Sequence, residues 1–482
     1  MPRHDTVFER NAPAPSVVDA ALRDSRQGSF WLEDAAPGAA AYDRLTGDTS
    51  ADLVVVGGGY TGLWTALLAR QREPGARVVL LEANTVGWAA SGRNGGFCDA
   101  SLTHGHDNGA ARWPEEIEEL DRLGMRNLDE IEATVRDLGL DAQFERTGAF
   151  APAVEPHQVP WVREYAEQAP AALGTTAYLD GTAARAEVNS PTYLAAAWDK
   201  DSCALVHPAR LAHELARAAA DLGVEILEHT RVEGIEADRS TGPVTLRTAR
   251  GRVRAARVAL ATNVFPSLLA RYRFHTVPVY DYVLMTEPLG ADQLAAIGWR
   301  GRQGVGDLAN QFHYYRLSAD NRILFGGYDA IYHYGRRVDP AYEDRPESYR
   351  RLASHLLTTF PQLEGIRVTH RWAGAIDTST RFCAFFARAH GGRVAYAAGF
   401  TGLGVGATRF AAQVMLDHLA GGRTERTELA MVRERPLPFP PEPFAWTGVQ
   451  ATRWSLDRAD HAAGRRNLFL KALDAAGLGF DS

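Results

Sequence analysis

Three glycine-rich stretches carry the residues best suited to chemistry. The first, Gly57-Gly58-Gly59-Tyr60-Thr61-Gly62, follows the apolar run Leu53-Val54-Val55-Val56 and precedes Leu63, Ala66, Leu67 and Ala69 at helical spacing. In that setting Gly57 permits a tight turn, Gly59 lets the backbone approach a pyrophosphate, and Gly62 lets a helix pack closely on the strand. The start of that helix, at Tyr60 and Thr61, supplies amide donors and positive potential. Glu82, followed by Ala83, closes the next apolar run, Val78-Val79-Leu80-Leu81, at the spacing of about 20 residues where an acid receives hydrogen bonds from an adenosine ribose. The plain alternative is a glycine-rich turn with an exposed Glu, but strand, helix, strand and acid occur in order.

That fingerprint recognises ADP and so serves NAD and FAD alike. The second stretch, GWAASGRNGG over 87–96, has small residues (Ala90, Ser91, Gly95, Gly96) and Asn94 that can lie against a flat ring, and Arg93, which can neutralise phosphate. The third is Gly399-Phe400-Thr401-Gly402-Leu403-Gly404-Val405, at the start of a helix expected over 405–419. Amides there can hold the negative charge that collects at N1 and C2=O of a reduced flavin, which a nicotinamide does not need. FAD is therefore the expected cofactor.

These segments need an α/β frame. The two apolar runs and the helix between them form a βαβ unit of a Rossmann-like domain. A helix is expected over 113–139, with an apolar stripe from Ile117 to Leu138, and another over 208–222. A strand meander over 231–262 returns to the first domain. Period-two patterning from Pro278 to Tyr328, with a turn at Asp320-Asn321, predicts a separate, mixed, largely antiparallel sheet with helices. Residues 1–50 read as an irregular arm over the first domain. The segment 436–443 reads as a stiff linker, and the tail beyond it as a surface appendage.

VVVGGGYTGL, VVLLEANTVGWAASGRNGGF and AAGFTGLGV together resemble the D-amino-acid oxidase and glycine oxidase superfamily of flavoproteins. The SGRNGG variant is most similar to γ-glutamylputrescine oxidoreductase-type amine oxidases. The resemblance spans nearly the whole chain. It implies that Val232 meets the adenine through its backbone. It also implies a discontinuous FAD-binding domain in three parts (46–110, 206–263, 371–425); with the reading of the chain's ends, the remainder divides into an arm (1–45), a helical and first substrate-domain part (111–205), a second substrate-domain part (264–370) and a C-terminal appendage (426–482).

Departures from the family constrain the substrate. Amino-acid oxidases anchor the substrate carboxylate with an Arg in a W-x-G-hydrophobic-Arg segment; here Trp372-Ala373-Gly374-Ala375 is followed by Ile376. The lysine that sarcosine-type enzymes place in the last flavin loop is matched by Gly406. With both clamps missing, the pattern favours an amine whose charged groups lie away from the reacting carbon. Leu403 stands where relatives often carry His, and Leu324 or Phe325 where a lysine promotes oxygen reduction. Period two puts Phe312, Tyr314 and Arg316 on one strand face and His313, Tyr315 and Leu317 on the other. The pocket candidates are Tyr280, Tyr282, Tyr315, Arg316 and Leu403, although core packing suits each aromatic equally and Arg316 suits an ion pair. His104-Gly105-His106 has no third ligand at recognisable spacing, so no metal is expected.

The 482 residues are 45% hydrophobic and 23% charged, with net charge −7, which disfavours nucleic acid and anionic membranes as partners. Three dispersed cysteines fit a reducing cytoplasm and, with none at a flavin-linking position, a noncovalent FAD. The expected protein is a cytoplasmic monomer or homodimer. It oxidises the C–N bond of a small amine to an imine, with oxygen or another electron acceptor. A non-catalytic flavin-binding subunit is the alternative of a different class, and an NAD(P)H-dependent hydroxylase is disfavoured because no Gly-Asp precedes the last helix.

Overall fold

Leu53-Val54-Val55-Val56 is apolar on both strand faces because both faces are covered. The strand Thr49–Val56 pairs in parallel with Val78–Leu81 on one side and Gly251–Leu260 on the other, in the middle of a sheet of eight strands among the described residues. Leu53 and Val55 pack against the helices Tyr60–Arg72, Pro208–Asp221 and Ala407–Ala420. Val54 and Val56 pack against the meander Val232–Ala237, Val244–Thr248 and Gly251–Leu260. Near-continuous apolar runs are the signature of parallel strands buried this way. The computed structural model describes residues 4–237 and 242–479; parts of the expected meander and of the C-terminal appendage therefore lie outside the described residues.

Among the described residues a second, ten-stranded sheet runs in the order Arg26–Gln27, Val368–Ser379, Thr276–Thr286, Ile323–Gly327, His313–Leu317, Gly304–Gly306, Ala149–Ala153, Ala195–Asp199, Thr176–Asp180, with Ile331–Tyr332 beside Thr276–Thr286. Most of its pairings are antiparallel. The hairpin turn falls at Asp320-Asn321, where Asn321 takes a left-handed conformation (φ 63°). One face packs on the helix Pro346–Thr359; the other looks across a cavity toward the first sheet. No helix among the described residues is long and apolar enough to cross a membrane.

Four expectations are corrected. Of the expected arm over the first domain, residues 4–27 go elsewhere, since Val7–Arg10 and Pro15–Leu22 pack into the core of the second sheet and Arg26–Gln27 extends it, whereas Trp31 beside Ala209 and Leu45 in the first sheet's core do lie against the first domain; residues 1–3 lie outside the described residues. The helix Ile117–Asp137 packs against the first sheet's helices through Leu120, Leu123, Leu128 and Ile131. The third FAD-domain segment begins with a strand, Val368–Ser379, of the other sheet. The C-terminal tail is not a surface appendage, because its helices Phe444–Asp460 and Leu468–Ala475 help wall the cavity.

Candidate active site

A cavity of about 1650 Å³ opens between the two sheets at the carboxyl ends of the parallel strands, where Val56, Leu81 and Ala261 reach its wall. That exceeds the roughly 300–1,000 Å³ of a common small-molecule pocket and leaves room for a cofactor and a substrate together. Gly57 turns the chain there with φ 111°, and a Cβ on it would lie 2.4 Å from the Ala261 carbonyl oxygen. At Gly62 a Cβ would lie 1.9 Å from the Gly57 oxygen, so helix and strand meet backbone to backbone. The first-turn amides of the helix Tyr60–Arg72 lack intrahelical acceptors by geometry; Ser91 Oγ takes that of Tyr60 (3.0 Å), and Thr61 lines the cavity beside it.

Glu82 receives the Gly58 amide (2.6 Å), the Asn84 amide (2.7 Å) and the Trp88 indole N–H (2.9 Å). Burial raises its pKa, opposed by those donors. Carboxylate oxygens have spare lone pairs, so acceptance from a ribose hydroxyl remains open.

The second glycine-rich stretch is held from both sides. Asn94 receives the Gly96 amide (2.8 Å) and donates to the Ala90 and Ser91 carbonyls, while Ser91 Oγ receives the Tyr60 amide. The indole of Trp372 donates to the Arg93 carbonyl (2.8 Å) and that of Trp31 to the Asn94 carbonyl (3.0 Å). Arg93 is less available to phosphate than expected, for it pairs with Glu343 at 2.7 Å.

In the third stretch Gly399, Thr401 and Gly402 all have positive φ (80°, 50° and 93°), and the Asp377 carboxylate receives the Gly399 amide at 2.5 Å. Burial pushes Asp377 up to about 7. The following helix begins at Ala407, not Val405. A Cβ on Gly402 would touch the ring of His104 at 4.0 Å, and burial holds that imidazole neutral, with its pKa lowered to about 4. His106 lies beside Asp121 (2.7 Å).

Of the residues expected to meet the cofactor, Gly57, Gly59, Tyr60, Thr61, Glu82, Ala83, Ala90, Ser91, Arg93, Asn94, Gly95, Gly96, Val232, Thr401, Gly402, Leu403, Gly404 and Val405 line this one cavity. Gly62 and Gly399 sit just behind its wall, as a packing contact and a turn. A dinucleotide with a flat ring fits this set: a helix start for the diphosphate, an acid for the ribose, and glycines where any Cβ would collide or fill the cradle.

The substrate candidates fare differently. Leu403 lines the cavity, but Tyr280, Tyr282 and Tyr315 point to the other face of their sheet and are 1%, 0% and 1% exposed. Tyr280 donates to the Asp339 carbonyl, Tyr282 to the Tyr342 carbonyl at 2.7 Å, and Tyr315 shares a hydrogen bond with Tyr193. Arg316 is buried under the second stretch, donating to the Val206 carbonyl at 2.6 Å, and does not reach the cavity wall. Tyr282→Phe should accordingly destabilise the fold by about 1 kcal/mol while changing KM less than twofold, as melting and steady-state kinetics would record.

The side chains that do face the cavity are their neighbours: Val279, Asp281 and Val283 on one strand, Tyr314 on another with Phe312 just before it, and Ile376 on a third. Tyr314 donates its hydroxyl to the Asp281 carboxylate, and a Cβ on Gly95 would lie 2.7 Å from the Tyr314 ring, so this polar pair abuts the second stretch. Burial pushes Asp281 up to about 6, against hydrogen bonds from Tyr314 and from the backbone at Tyr282 and Gly327. Asp281 was legible only as a lone acid in an apolar strand, since alternation alone does not say which parity is inward. At Gly406 a Cβ would lie 2.2 Å from the Asp99 carbonyl oxygen, which excludes a lysine there.

A family model described as "FAD dependent oxidoreductase" (DAO) matches residues 52–418. Gamma-glutamylputrescine oxidoreductase of Escherichia coli (strain K12) is 31% identical over 413 residues, covering 83% of this chain and 90% of that protein. A probable oxidoreductase, OrdL, of Haemophilus influenzae is 29% identical over 385 residues, covering 78% and 84%. Among solved structures, glycine oxidase from Bacillus cereus superposes with a TM-score of 0.65 at 19% identity, over 80% of this chain and 99% of that one. The cavity's glycine cradle and this match across most of the chain agree: the protein belongs to the DAO family of FAD-dependent oxidoreductases.

Proposed function

We propose that the protein oxidises the C–N bond of a small amine to an imine, which water converts to an aldehyde with release of ammonia or a smaller amine. The observation that carries this reading is Asp281 with its partner Tyr314, an acid in an otherwise apolar stretch of cavity wall beside the second glycine-rich stretch. An amine arrives as an ammonium ion and gives up hydride from its α-carbon only once neutral. Asp281 as carboxylate attracts the ammonium and accepts its proton, while the Tyr314 hydroxyl steadies the charge. Val279, Val283, Phe312 and Ile376 exclude water from the C–H bond. FAD, when bound, supplies the two-electron acceptor.

Ile376 and Gly406 leave the two familiar carboxylate-anchor positions without a cation, which supports an amine over an α-amino acid. Noncovalent attachment of FAD belongs to the same reading: Cys98, Cys203 and Cys383 are buried and none lines the cavity. Oxygen is the acceptor in this reading and yields hydrogen peroxide. One observation favours a dehydrogenase instead, since neither lysine of the chain, Lys200 or Lys471, lines the cavity.

The experiment is anaerobic bleaching of the flavin band by a panel of primary and secondary amines, followed by paired peroxide and artificial-dye assays. Alkylamines should bleach the band while D-amino acids and glycine do not. Failure of the whole amine panel ends the reading, and dye reduction without peroxide selects the dehydrogenase.

A further inference from the structure

The C-terminal segment lies beyond the part of the chain matched by the family, which ends at residue 418, yet it closes the cavity. On the helix Phe444–Asp460, residues Ala445, Gly448, Val449, Thr452, Arg453 and Leu456 line the wall at helical spacing, so one face of the helix looks inward. That helix is fixed in place. Asp460 receives the Asn310 amide (2.9 Å) and the Gln311 amide (3.1 Å), and Gln450 donates to the Tyr332 carbonyl (3.2 Å). Its inward face is apolar apart from Thr452 and one charge, Arg453.

Arg453 is half-buried, donates to Gln450 Oε1 at 2.9 Å, and has a buried Nε without an acceptor. Among the described residues no carboxylate lies within 4.0 Å of its guanidinium. Asp329, the carboxylate with the largest influence on it, is already committed to Arg345 (2.9 Å), Arg351 (2.6 Å) and Ser348 (2.6 Å). The other arginines of the wall that are not exposed are matched, Arg93 by Glu343 and Arg466 by Asp474 at 2.7 Å. Asp457, four residues on in the same helix, also favours its charge but makes no ion pair with it; a partly desolvated guanidinium with no carboxylate in contact is costly unless a ligand supplies one, and its planar fork suits a carboxylate.

We propose that Arg453 anchors a carboxylate at the far end of the substrate, so that the substrate class is an amine joined through an apolar chain to a distant carboxylate. The inference rests on the amine-oxidase reading, with Asp281 taking the ammonium end. It supplies from the C-terminal helix the anchor that positions 376 and 406 lack.

The test compares, on purified FAD-loaded protein, linear alkylamines with ω-amino carboxylates of the same chain length. Wild type should show a KM at least 10-fold lower for the carboxylate-bearing amine at one or more lengths. In Arg453→Gln that ratio should collapse to near one, whereas Arg458→Gln, exposed on the same helix, should keep it. Calorimetric or flavin-spectral titration with hexanoate, which cannot be oxidised, reads the anchor separately: its Kd should rise at least 10-fold in Arg453→Gln. Equal KM values in wild type, or hexanoate binding indifferent to Arg453→Gln, overturn the proposal. Arg453-dependent hexanoate binding with no amine oxidised would instead sink the amine reading and keep the anchor.

Discussion

Asp281→Asn should lower kcat/KM for the best amine at least 100-fold, within the roughly 10²–10⁴ that a positioned acid–base group contributes. Asparagine keeps the shape and can still bond Tyr314, but it neither attracts an ammonium nor accepts its proton. In wild type, kcat/KM should fall as pH drops through about 6, the value to which burial pushes this acid, and Asp281→Asn should lose that acid limb. Stability should move the opposite way. The folded-state pKa lies above the unfolded one, so the unfolded chain releases its proton first and the carboxyl's stability penalty grows as pH rises from about 4 to 6. Above that window Asp281→Asn should be the more stable protein, by on the order of 1–3 kcal/mol. Wild-type turnover together with a lower melting temperature at pH 8 would remove Asp281 from the chemistry.

Gly57→Val should yield colourless protein, with less than a tenth of the wild-type flavin content. A β-branched residue at φ 111° is strained in itself, and its Cβ would meet the Ala261 carbonyl oxygen at 2.4 Å. That oxygen cannot retreat readily, because the strand Gly251–Leu260 just before it is paired with Thr49–Val56 and Val394–Ala398. The turn must instead shift away from the diphosphate, and a 100-fold loss of affinity needs only about 2.7 kcal/mol. Gly75→Ala, where no atom lies within 4 Å of the added carbon, is the control. Absorbance of the purified proteins, before and after added FAD, decides the matter; a fully yellow Gly57→Val would mean that the fingerprint does not hold the cofactor.

The glycine-rich wall of the cavity was readable from residues 53–96 because its parts are local. A strand, a turn that only glycines can make, a helix start and an acid follow one another, and each constrains the next through its own backbone. The last glycine turn was readable for the same reason, although its clamp by Asp377 depends on a strand some twenty residues earlier that pairs in the other sheet.

The substrate side was not readable in this way. In the strand Thr276–Thr286, tyrosines at 280 and 282 and an acid at 281 are equally compatible with period two, and moving the register by one residue exchanges the faces. What decided the parity was the helix Pro346–Thr359, whose Tyr349 and Leu352 pack in one core with Tyr280 and Tyr282 and leave Asp281 to the cavity. Arg316 shares the parity of Tyr314 but sits farther along the strand, beneath Gly96 and Val206.

By itself, then, the sequence determined the cofactor, the α/β frame and the absence of the two familiar carboxylate anchors, since each is a matter of residue type within a short stretch. Only the tertiary structure decided that Asp281 and Tyr314 face the cavity beside the second glycine-rich stretch, and that a helix nearly 400 residues from the fingerprint completes the cavity wall. Both depend on which distant surfaces bury together, and that balance of packing is not encoded in any local pattern.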